Sequence, residues 1–155
     1  RSKTEISNIN CPGQIVISGS NDALGEANKL AKVKGARPIS LKVSGAFHSA
    51  LMEPIMAEFE KIVSNFTFQP PVIPVIANVT AQPLADNESI REELLKQLRS
   101  CIQWQGSVEY MIDSGVSTFY EIGPGRVLSG LIKRISPQPQ TFNISGIENI
   151  MQLAR

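Results

Sequence analysis

One residue of this sequence carries a side chain suited to proton transfer near neutral pH, and that residue is His48. It is the single histidine among 155 residues, and an unperturbed imidazole titrates in the range that general acid–base catalysis needs. His48 stands in a loop of small residues, 45–49, directly after a predicted strand, where α/β folds often carry functional groups. The sequence leaves two roles open for His48: a general base, or a structural histidine with a satisfied hydrogen bond.

A general base of this kind serves a nucleophile, and the nucleophile motif of α/β-hydrolases does not occur in the sequence. Gly-x-Ser-x-Gly would set a serine on a strand–turn–helix elbow, but no serine here has both flanking glycines. Cys101 falls on the apolar stripe of a predicted helix, which favours a core position. Cys11 precedes Pro12-Gly13 in a turn and has no evident activating partner. If His48 is a base, we expect its nucleophile to lie outside this chain.

Two further features could bind anions. Gly123-Pro124-Gly125 resembles a phosphate loop, but Gly-x-x-x-x-Gly-Lys-Ser/Thr is missing, so a tight turn into a helix is the favoured interpretation. Residues 27–52 contain no acidic residue and five cations, which are Lys29, Lys32, Lys34, Arg37 and Lys42. Such a run is usually a solvated helix face. The same cations could steer an anionic ligand or an acidic protein toward this surface.

Composition excludes several classes of protein. The sequence has 15 Lys+Arg and 14 Asp+Glu, a formal net charge of +1, whereas general nucleic-acid binders are strongly basic. No run approaches the roughly 18 apolar residues that predict a membrane span. One histidine and two cysteines do not suffice for a zinc finger, a histidine-rich metal site or an iron–sulfur centre. We therefore expect that the protein binds no metal, cofactor, nucleic acid or membrane. We also expect it to work in a reducing compartment.

The order of predicted elements indicates how His48 is positioned. Apolar residues at helical spacing alternate with short β-branched runs, which predicts an α/β fold with a largely parallel sheet. Ser20 and its neighbours offer N-cap side chains for the first helix, Gly35 ends that helix, and Asn87 caps a later one. The predicted strands are 14–18, 39–43, 72–79, 117–122 and 141–145, and the predicted helices surround 24–31, 55–63, 90–101, 108–112, 128–132 and the segment after Gly146.

Five segments in this order resemble malonyl-CoA:acyl carrier protein transacylases of type II fatty acid synthesis. The likeness runs from about residue 10 to 135 and is specific because five separate motifs agree. They are Asn-Cys-Pro-Gly-Gln-Ile-Val-Ile-Ser-Gly from Asn10, Val-Ser-Gly-Ala-Phe-His-Ser-Ala-Leu-Met from Val43, Pro-Val-Ile-Ala-Asn-Val from Pro74, Gln97-Leu98 with Ile102-Gln103-Trp104, and Tyr-Glu-Ile-Gly-Pro-Gly-Arg-Val-Leu-Ser-Gly-Leu from Tyr120.

The resemblance implies a fold and a division of the chain. Members of the family have an α/β-hydrolase-like large subdomain into which a small ferredoxin-like subdomain is inserted. Residues 1–43 would then be the second half of the ferredoxin-like small subdomain, and residues 44–155 the C-terminal part of the large subdomain. The chain would thus be the C-terminal half of the enzyme.

The resemblance also implies roles for three residues. His48 matches the catalytic histidine, which takes the proton of a serine that becomes malonylated. Gln97 matches the residue whose main-chain carbonyl orients that histidine in place of an aspartate. Phe47 would line the substrate site, because malonyl-specific relatives tend to carry Ala-Phe-His here and methylmalonyl-specific ones Ala-Ser-His. Three further functional residues belong to the family's N-terminal half: the serine, the arginine that binds the malonyl carboxylate, and a glutamine of the oxyanion hole. We therefore expect this chain alone to be inactive.

The expected partners are malonyl-CoA, acyl carrier protein and the missing N-terminal half of the same enzyme, in the cytoplasm or a plastid stroma. Two other functions remain open. One is the acyltransferase domain of a polyketide synthase, which would lie within a much longer polypeptide. The other is a non-catalytic module that binds acyl carrier protein through the cations between Lys29 and Lys42.

Overall fold

The computed structural model describes residues 4–43 and 45–153, in which an initial hairpin is followed by four α-helices and then by a β–α–β unit and a last helix. The strands are β1 Thr4–Cys11, β2 Gln14–Gly19, β3 Thr118–Ile122 and β4 Gln140–Ile144. The α-helices are α1 Asn21–Val33, α2 Glu53–Ser64, α3 Asn87–Gln97, α4 Trp104–Asp113, α5 Val127–Ile135 and α6 Ile147–Leu153, and the 3₁₀ turn Ala50–Met52 precedes α2. The predicted α/β class is confirmed.

Strands β1 and β2 form an antiparallel hairpin that the sequence predicted only in part. The turn is Pro12-Gly13, and Gly13 has a φ of 76°, a conformation that glycine adopts without steric cost. We predicted β2 but not β1, because two register shifts, between Ile6 and Asn8 and between Ile9 and Cys11, interrupt the alternation that marks a strand. The prediction of a largely parallel sheet is therefore wrong for this pair.

Strands β3 and β4 are parallel and in register from Thr118↔Gln140 to Ile122↔Ile144. Helix α5 connects them, as parallel neighbours require, and both strands were predicted. The Tyr120 and Phe142 rings stack with centroids 5.4 Å apart. Helices α4 and α5 pack against each other and against β1, and the buried apolar side chains of this region include Ile102, Val108, Leu131 and Ile132.

The helix ends follow local signals in the sequence. The Ser20 side chain accepts a hydrogen bond from the Ala23 N–H at the start of α1, and Gly35 follows its end with a φ of 80°. Both were predicted. Helix α3 is capped by Asp86, one residue before the predicted Asn87, because Asp86 and Ser89 satisfy each other's backbone N–H groups in a capping box.

Two predicted strands are wrong. Residues 39–43 form no strand, although Ile39, Leu41 and Val43 alternate with polar residues, and all three are exposed. Residues 72–79 contain only an isolated bridge between Ile76 and Pro83, and Val72 is fully exposed. An apolar run becomes a strand only beside a neighbouring strand edge, and no extended ladder pairs with either run within residues 4–43 and 45–153.

The division into residues 1–43 and 44–155 stays a prediction. Its boundary falls at Ser44, and Ser44, like residues 1–3, 154 and 155, lies outside the described residues. Strand β1 bonds across the proposed boundary, since Ile9 N–H donates to Ile102 O at 2.9 Å and Ile102 N–H donates to Ser7 O at 2.8 Å. The hairpin is therefore fixed to the segment that joins α3 to α4.

Candidate active site

His48 lies in the loop before α2, and its ring is fixed by the end of α3. Nδ1 of His48 is 2.5 Å from the main-chain oxygen of Gln97. A carbonyl oxygen can only accept, so Nδ1 carries the proton and Nε2 keeps a lone pair for an incoming proton. This is the tautomer that a general base at Nε2 requires. The predicted partners His48 and Gln97 are thus brought together, while their chemical roles remain predictions.

The position of Gln97 explains why its carbonyl is available. Gln97 is the last residue of α3, and the last carbonyls of a helix have no partner within it. The same end of a helix carries partial negative charge, which stabilises a cation beside it. The Gln97 side chain points elsewhere, with Oε1 accepting from Asn78 Nδ2 at 3.2 Å. Only the backbone of Gln97 therefore serves the imidazole.

The backbone of His48 has a left-handed conformation, with a φ of 60°. Residues with a Cβ rarely adopt it, and strained positions of this kind cluster at functional sites. Its N–H donates to Leu98 O at 2.8 Å, so backbone and ring are both held by the C-terminal end of α3. His48 is half-buried, which leaves part of the ring accessible.

Phe47, the residue before His48, is 46% exposed in this chain. Its ring lies over the loop backbone, because a Cβ built on Gly45 would be 2.8 Å from Phe47 Cε2. Any side chain at residue 45 would therefore collide with the Phe47 ring. Whether the ring selects substrates remains a prediction.

Two contacts that the sequence did not indicate complete the loop. Ser49 is buried, and its hydroxyl donates to Ala46 O at 2.6 Å while accepting from Leu51 N–H at 3.3 Å. Glu5 of β1 accepts from Ala50 N–H at 2.8 Å through Oε2. A serine before an apolar turn is a recognisable N-cap signal, but no local pattern marks Glu5, which lies 45 residues away.

Neither cysteine has the surroundings of a nucleophile. Cys11 is 1% exposed at the end of β1. Burial raises the pKa of the Cys101 thiol above its usual value, which disfavours the reactive thiolate. Cys101 also lies beyond α3, which ends at Gln97, so its predicted place on a helical stripe is wrong.

The Gly123-Pro124-Gly125 loop is a turn into α5, as predicted. Glu121 accepts from the N–H groups of Leu128 and Ser129 at 3.0 and 2.8 Å. Hydrogen bonds from Ser129, with those from Leu128 and Asn143, lower the Glu121 pKa to about 2. A carboxylate of the chain itself therefore occupies the N-terminal end of α5, where a phosphate would have to bind.

The cations of α1 lie on an exposed face. Lys29 pairs with Glu26 at 2.9 Å, while Lys32 and Lys34 are exposed at the end of the helix. Within residues 4–43 and 45–153, no group of three or more His, Cys, Asp or Glu side chains is placed to hold a metal ion. No helix in that part of the chain is long and apolar enough to cross a membrane.

Comparisons with known proteins bear on these observations. The model of the acyl transferase domain family matches residues 4–144. Curated relatives named malonyl CoA-acyl carrier protein transacylase match over 147 residues, or 94% of this chain. The one from Staphylococcus aureus strain MSSA476 is 45% identical and covered to 48%, and the one from Bacillus subtilis strain 168 is 42% identical and covered to 46%. The chain spans about half the length of these relatives.

Solved structures give the same result for the fold. The acyl carrier protein S-malonyltransferase of Vibrio cholerae superposes with a TM-score of 0.93 at 37% identity, over 98% of this chain and 50% of that one. A malonyl-transacylase solved in complex with its type II PKS acyl-carrier protein superposes with a TM-score of 0.93 at 34% identity, over 97% of this chain and 49% of that one. The predicted acyltransferase fold is confirmed.

Proposed function

This chain belongs to the acyl transferase domain family, and from that premise we propose that it forms the histidine-bearing half of a malonyl-CoA:acyl carrier protein transacylase. The observation that carries the proposal is the contact of 2.5 Å between His48 Nδ1 and Gln97 O, since it leaves Nε2 as the basic nitrogen. The names of the relatives supply the acyl group and the acceptor: malonyl-CoA and acyl carrier protein.

The reaction proceeds in two transfers through His48. Nε2 takes the proton of a serine hydroxyl, which the segment outside this chain supplies, as its oxygen attacks the malonyl thioester carbon. The C–S bond then breaks, and the CoA sulfur leaves with the proton from Nε2. In the second transfer the phosphopantetheine thiol of acyl carrier protein gives its proton to Nε2 and attacks the serine ester. The serine oxygen leaves with that proton, which restores the enzyme.

The Gln97 carbonyl contributes throughout this cycle without changing its charge. While Nε2 is protonated, the imidazolium at His48 is stabilised by that carbonyl and by the negative end of α3. A neutral acceptor fixes the tautomer as the aspartate of a Ser-His-Asp triad does. The reaction requires no cofactor, because the thioester itself is the activated acyl group.

Acyl carrier protein is the proposed second substrate, and it is acidic in this pathway. Lys32 and Lys34 offer exposed positive charge at the end of α1, and such charges accelerate encounter with an acidic partner. The remaining partner is the N-terminal half of the enzyme, which would supply the serine and the binding site of the malonyl carboxylate. This chain alone would then be inactive, and the proposed compartment is the cytoplasm.

The test is a transfer assay on the full-length protein with labelled malonyl-CoA and acyl carrier protein. We expect label on the enzyme first and on the carrier second, and a loss of about 10²–10⁴-fold in acylation rate for His48→Ala. Lys61→Ala on the exposed face of α2 is the control and should retain wild-type rates. Carrier binding without any transfer would favour a non-catalytic module, and unchanged acylation in His48→Ala would refute the role of His48.

A further inference from the structure

The peptide group that joins Phe47 to His48 is held on both of its sides by different parts of the fold. Its N–H, from His48, donates to Leu98 O at 2.8 Å. Its carbonyl, from Phe47, accepts from the hydroxyl of Ser18 at 3.0 Å. Leu98 follows α3, whereas Ser18 belongs to β2, so the peptide plane is fixed between a helix end and the hairpin.

Ser18 is itself oriented by a buried neighbour. The Ser7 hydroxyl donates to Ser18 Oγ at 2.5 Å, and Ser7 is 2% exposed. Ser7 is the extra residue where the register shifts between Ile6 and Asn8, and such bulges redirect a side chain. Since the lone pairs of Ser18 Oγ receive the Ser7 proton, the Ser18 proton is left to point at the Phe47 carbonyl.

This arrangement matters because of the φ of 60° at His48. The left-handed conformation is unfavourable for a residue with a Cβ, and it persists only where surrounding contacts determine it. The plane of the Phe47–His48 peptide sets φ at His48, and φ sets the direction of the imidazole. A peptide held only at Leu98 could rotate about that hydrogen bond, which would carry Nδ1 away from Gln97 O.

We infer that Ser18 is a positioning residue for the acyl transfer, acting through the Phe47 carbonyl on the orientation of His48. The inference rests on the proposed function, since it assigns a role to Ser18 in that same site. The hydroxyl is the acting group, and its hydrogen-bond partners are Ser7 Oγ and the main-chain oxygen of Phe47. Loss of the hydroxyl should reduce turnover without weakening substrate binding.

The experiment compares Ser18→Thr with Ser18→Val in the full-length enzyme. The two side chains have nearly the same shape, both suit a strand, and only threonine keeps the hydroxyl. We expect Ser18→Val to lower kcat for malonyl transfer about tenfold with KM for malonyl-CoA within about twofold, since small misplacements of a catalytic group cost large factors in rate. Ser18→Thr should keep kcat within about threefold of wild type.

Two further variants separate the possible outcomes. Ser7→Ala removes the buried donor that orients Ser18 but keeps the hydroxyl that binds the Phe47 carbonyl, so it should lower kcat less than Ser18→Val does. An equal or larger loss of kcat would show that the Ser18 hydroxyl is not the acting group. His48→Ala tests the proposed function itself, which an unchanged transfer rate in that variant would refute. If His48→Ala loses the expected transfer rate but Ser18→Thr and Ser18→Val have equal kcat, only the role of Ser18 is overturned. If Ser18→Val does not fold, Ser18→Ala against Ser18→Thr provides the same hydroxyl contrast.

Discussion

Two loops of this molecule lead into helices, and they are anchored in opposite ways. The loop at residues 45–49 is held by partners that lie far away in sequence, with separations of 29 residues to Ser18, 45 to Glu5 and 49 to Gln97. In the loop at residues 123–126, Gly123 N–H donates to Ile144 O at 3.0 Å and Gly125 O accepts from Asn143 Nδ2 at 3.5 Å, while Glu121 accepts from N–H groups of the following helix, seven and eight residues away. The contacts of the first loop therefore reach as far as 49 residues along the chain, whereas those of the second reach no farther than β4.

The loops also differ in how they accommodate unusual backbone. Gly123 and Gly125 have φ values of 134° and 94°, where glycine has no steric cost. His48 has a φ of 60° without being glycine. A position that keeps a costly residue where glycine would be easier points to chemistry rather than to stability. The strained backbone at His48 thus supports the site proposed for the first loop, whereas the second loop has the geometry of a glycine turn.

The largest expected effect that distinguishes the loops concerns the choice of substrate. Phe47→Ser in the full-length enzyme should lower kcat/KM for malonyl-CoA and raise it for methylmalonyl-CoA, because removal of the ring frees space for an α-methyl group. One methyl group is worth about 1–3 kcal/mol, which shifts the preference roughly ten- to hundredfold. Competing-substrate kinetics measures the ratio.

The control for this prediction is an exposed apolar residue beside the other loop. Val127 is 70% exposed after the glycine-rich turn, and Val127→Ser should leave the preference unchanged. If Phe47→Ser lowers both rates in parallel, Phe47 has a packing role, and the loops do not differ in specificity.

The next effect is a pH dependence that belongs to the second loop. Hydrogen bonds hold the Glu121 pKa at about 2, below its usual 4.5, so the folded state favours the carboxylate. The resulting stabilisation is complete above pH 4.5 and is lost as the pH falls toward 2. Glu121→Gln should therefore be less stable than wild type at pH 7, and the gap in free energy of unfolding should narrow below pH 4.5.

Urea unfolding of the full-length protein at several pH values measures that gap. Glu58→Gln, which alters an exposed carboxylate of α2, is the matched control. A gap that stays constant from pH 7 to pH 3 would show that the carboxyl of Glu121 is not the anchor of the second loop.

A smaller effect tests how much free energy of unfolding the left-handed backbone at His48 costs. Both His48→Gly and His48→Ala remove the imidazole, but only alanine keeps a Cβ at a φ of 60°. The glycine variant should be more stable by about 1 kcal/mol, and both should be inactive. Gly125→Ala should change stability in the opposite direction by about the same amount. Equal stability of the two His48 variants would mean that the loop relaxes to a common backbone once the ring is gone.

The smallest expected effect concerns Gln97. Its carbonyl, not its side chain, contacts His48, so Gln97→Ala should lower the transfer rate less than about threefold, in line with the roughly 0.5 kcal/mol of a partly exposed side chain. Steady-state kinetics of the full-length enzyme measures the rate. A loss as large as that of His48→Ala would contradict an anchor made by the backbone alone.

What could be predicted from the sequence follows this same division between near and distant contacts. Ser20, Gly35 and the apolar spacing of α2, α4 and α5 are local signals, and they predicted the helices with small errors at the ends. The pairing of His48 with Gln97 came from resemblance, because no periodicity connects residues 49 positions apart. Ser18 and Glu5 were missed for that reason.

The two wrong strands have a related cause. Residues 39–43 and 72–79 have suitable side chains, but a strand also needs a neighbour, and the sequence of one segment does not reveal its neighbour. β3 and β4, with equally apolar sequences, became strands because each provides the other's edge. The exposed apolar runs fit a chain that spans about half the length of its relatives.

The pair of hydrogen bonds between β1 and Ile102 also sets an order of events during synthesis. These bonds close a chain segment of more than ninety residues, and such closure costs about 4 kcal/mol of entropy before any contact compensates it. Until Ile102 has left the ribosome, β1 lacks its hydrogen-bond partner, and the carbonyl of Gln97 has no fixed position relative to the hairpin. The histidine loop lies in the middle of that segment, so its geometry is completed only after Ile102 has paired with β1, whereas the turn into α5 depends on contacts that reach only as far as β4.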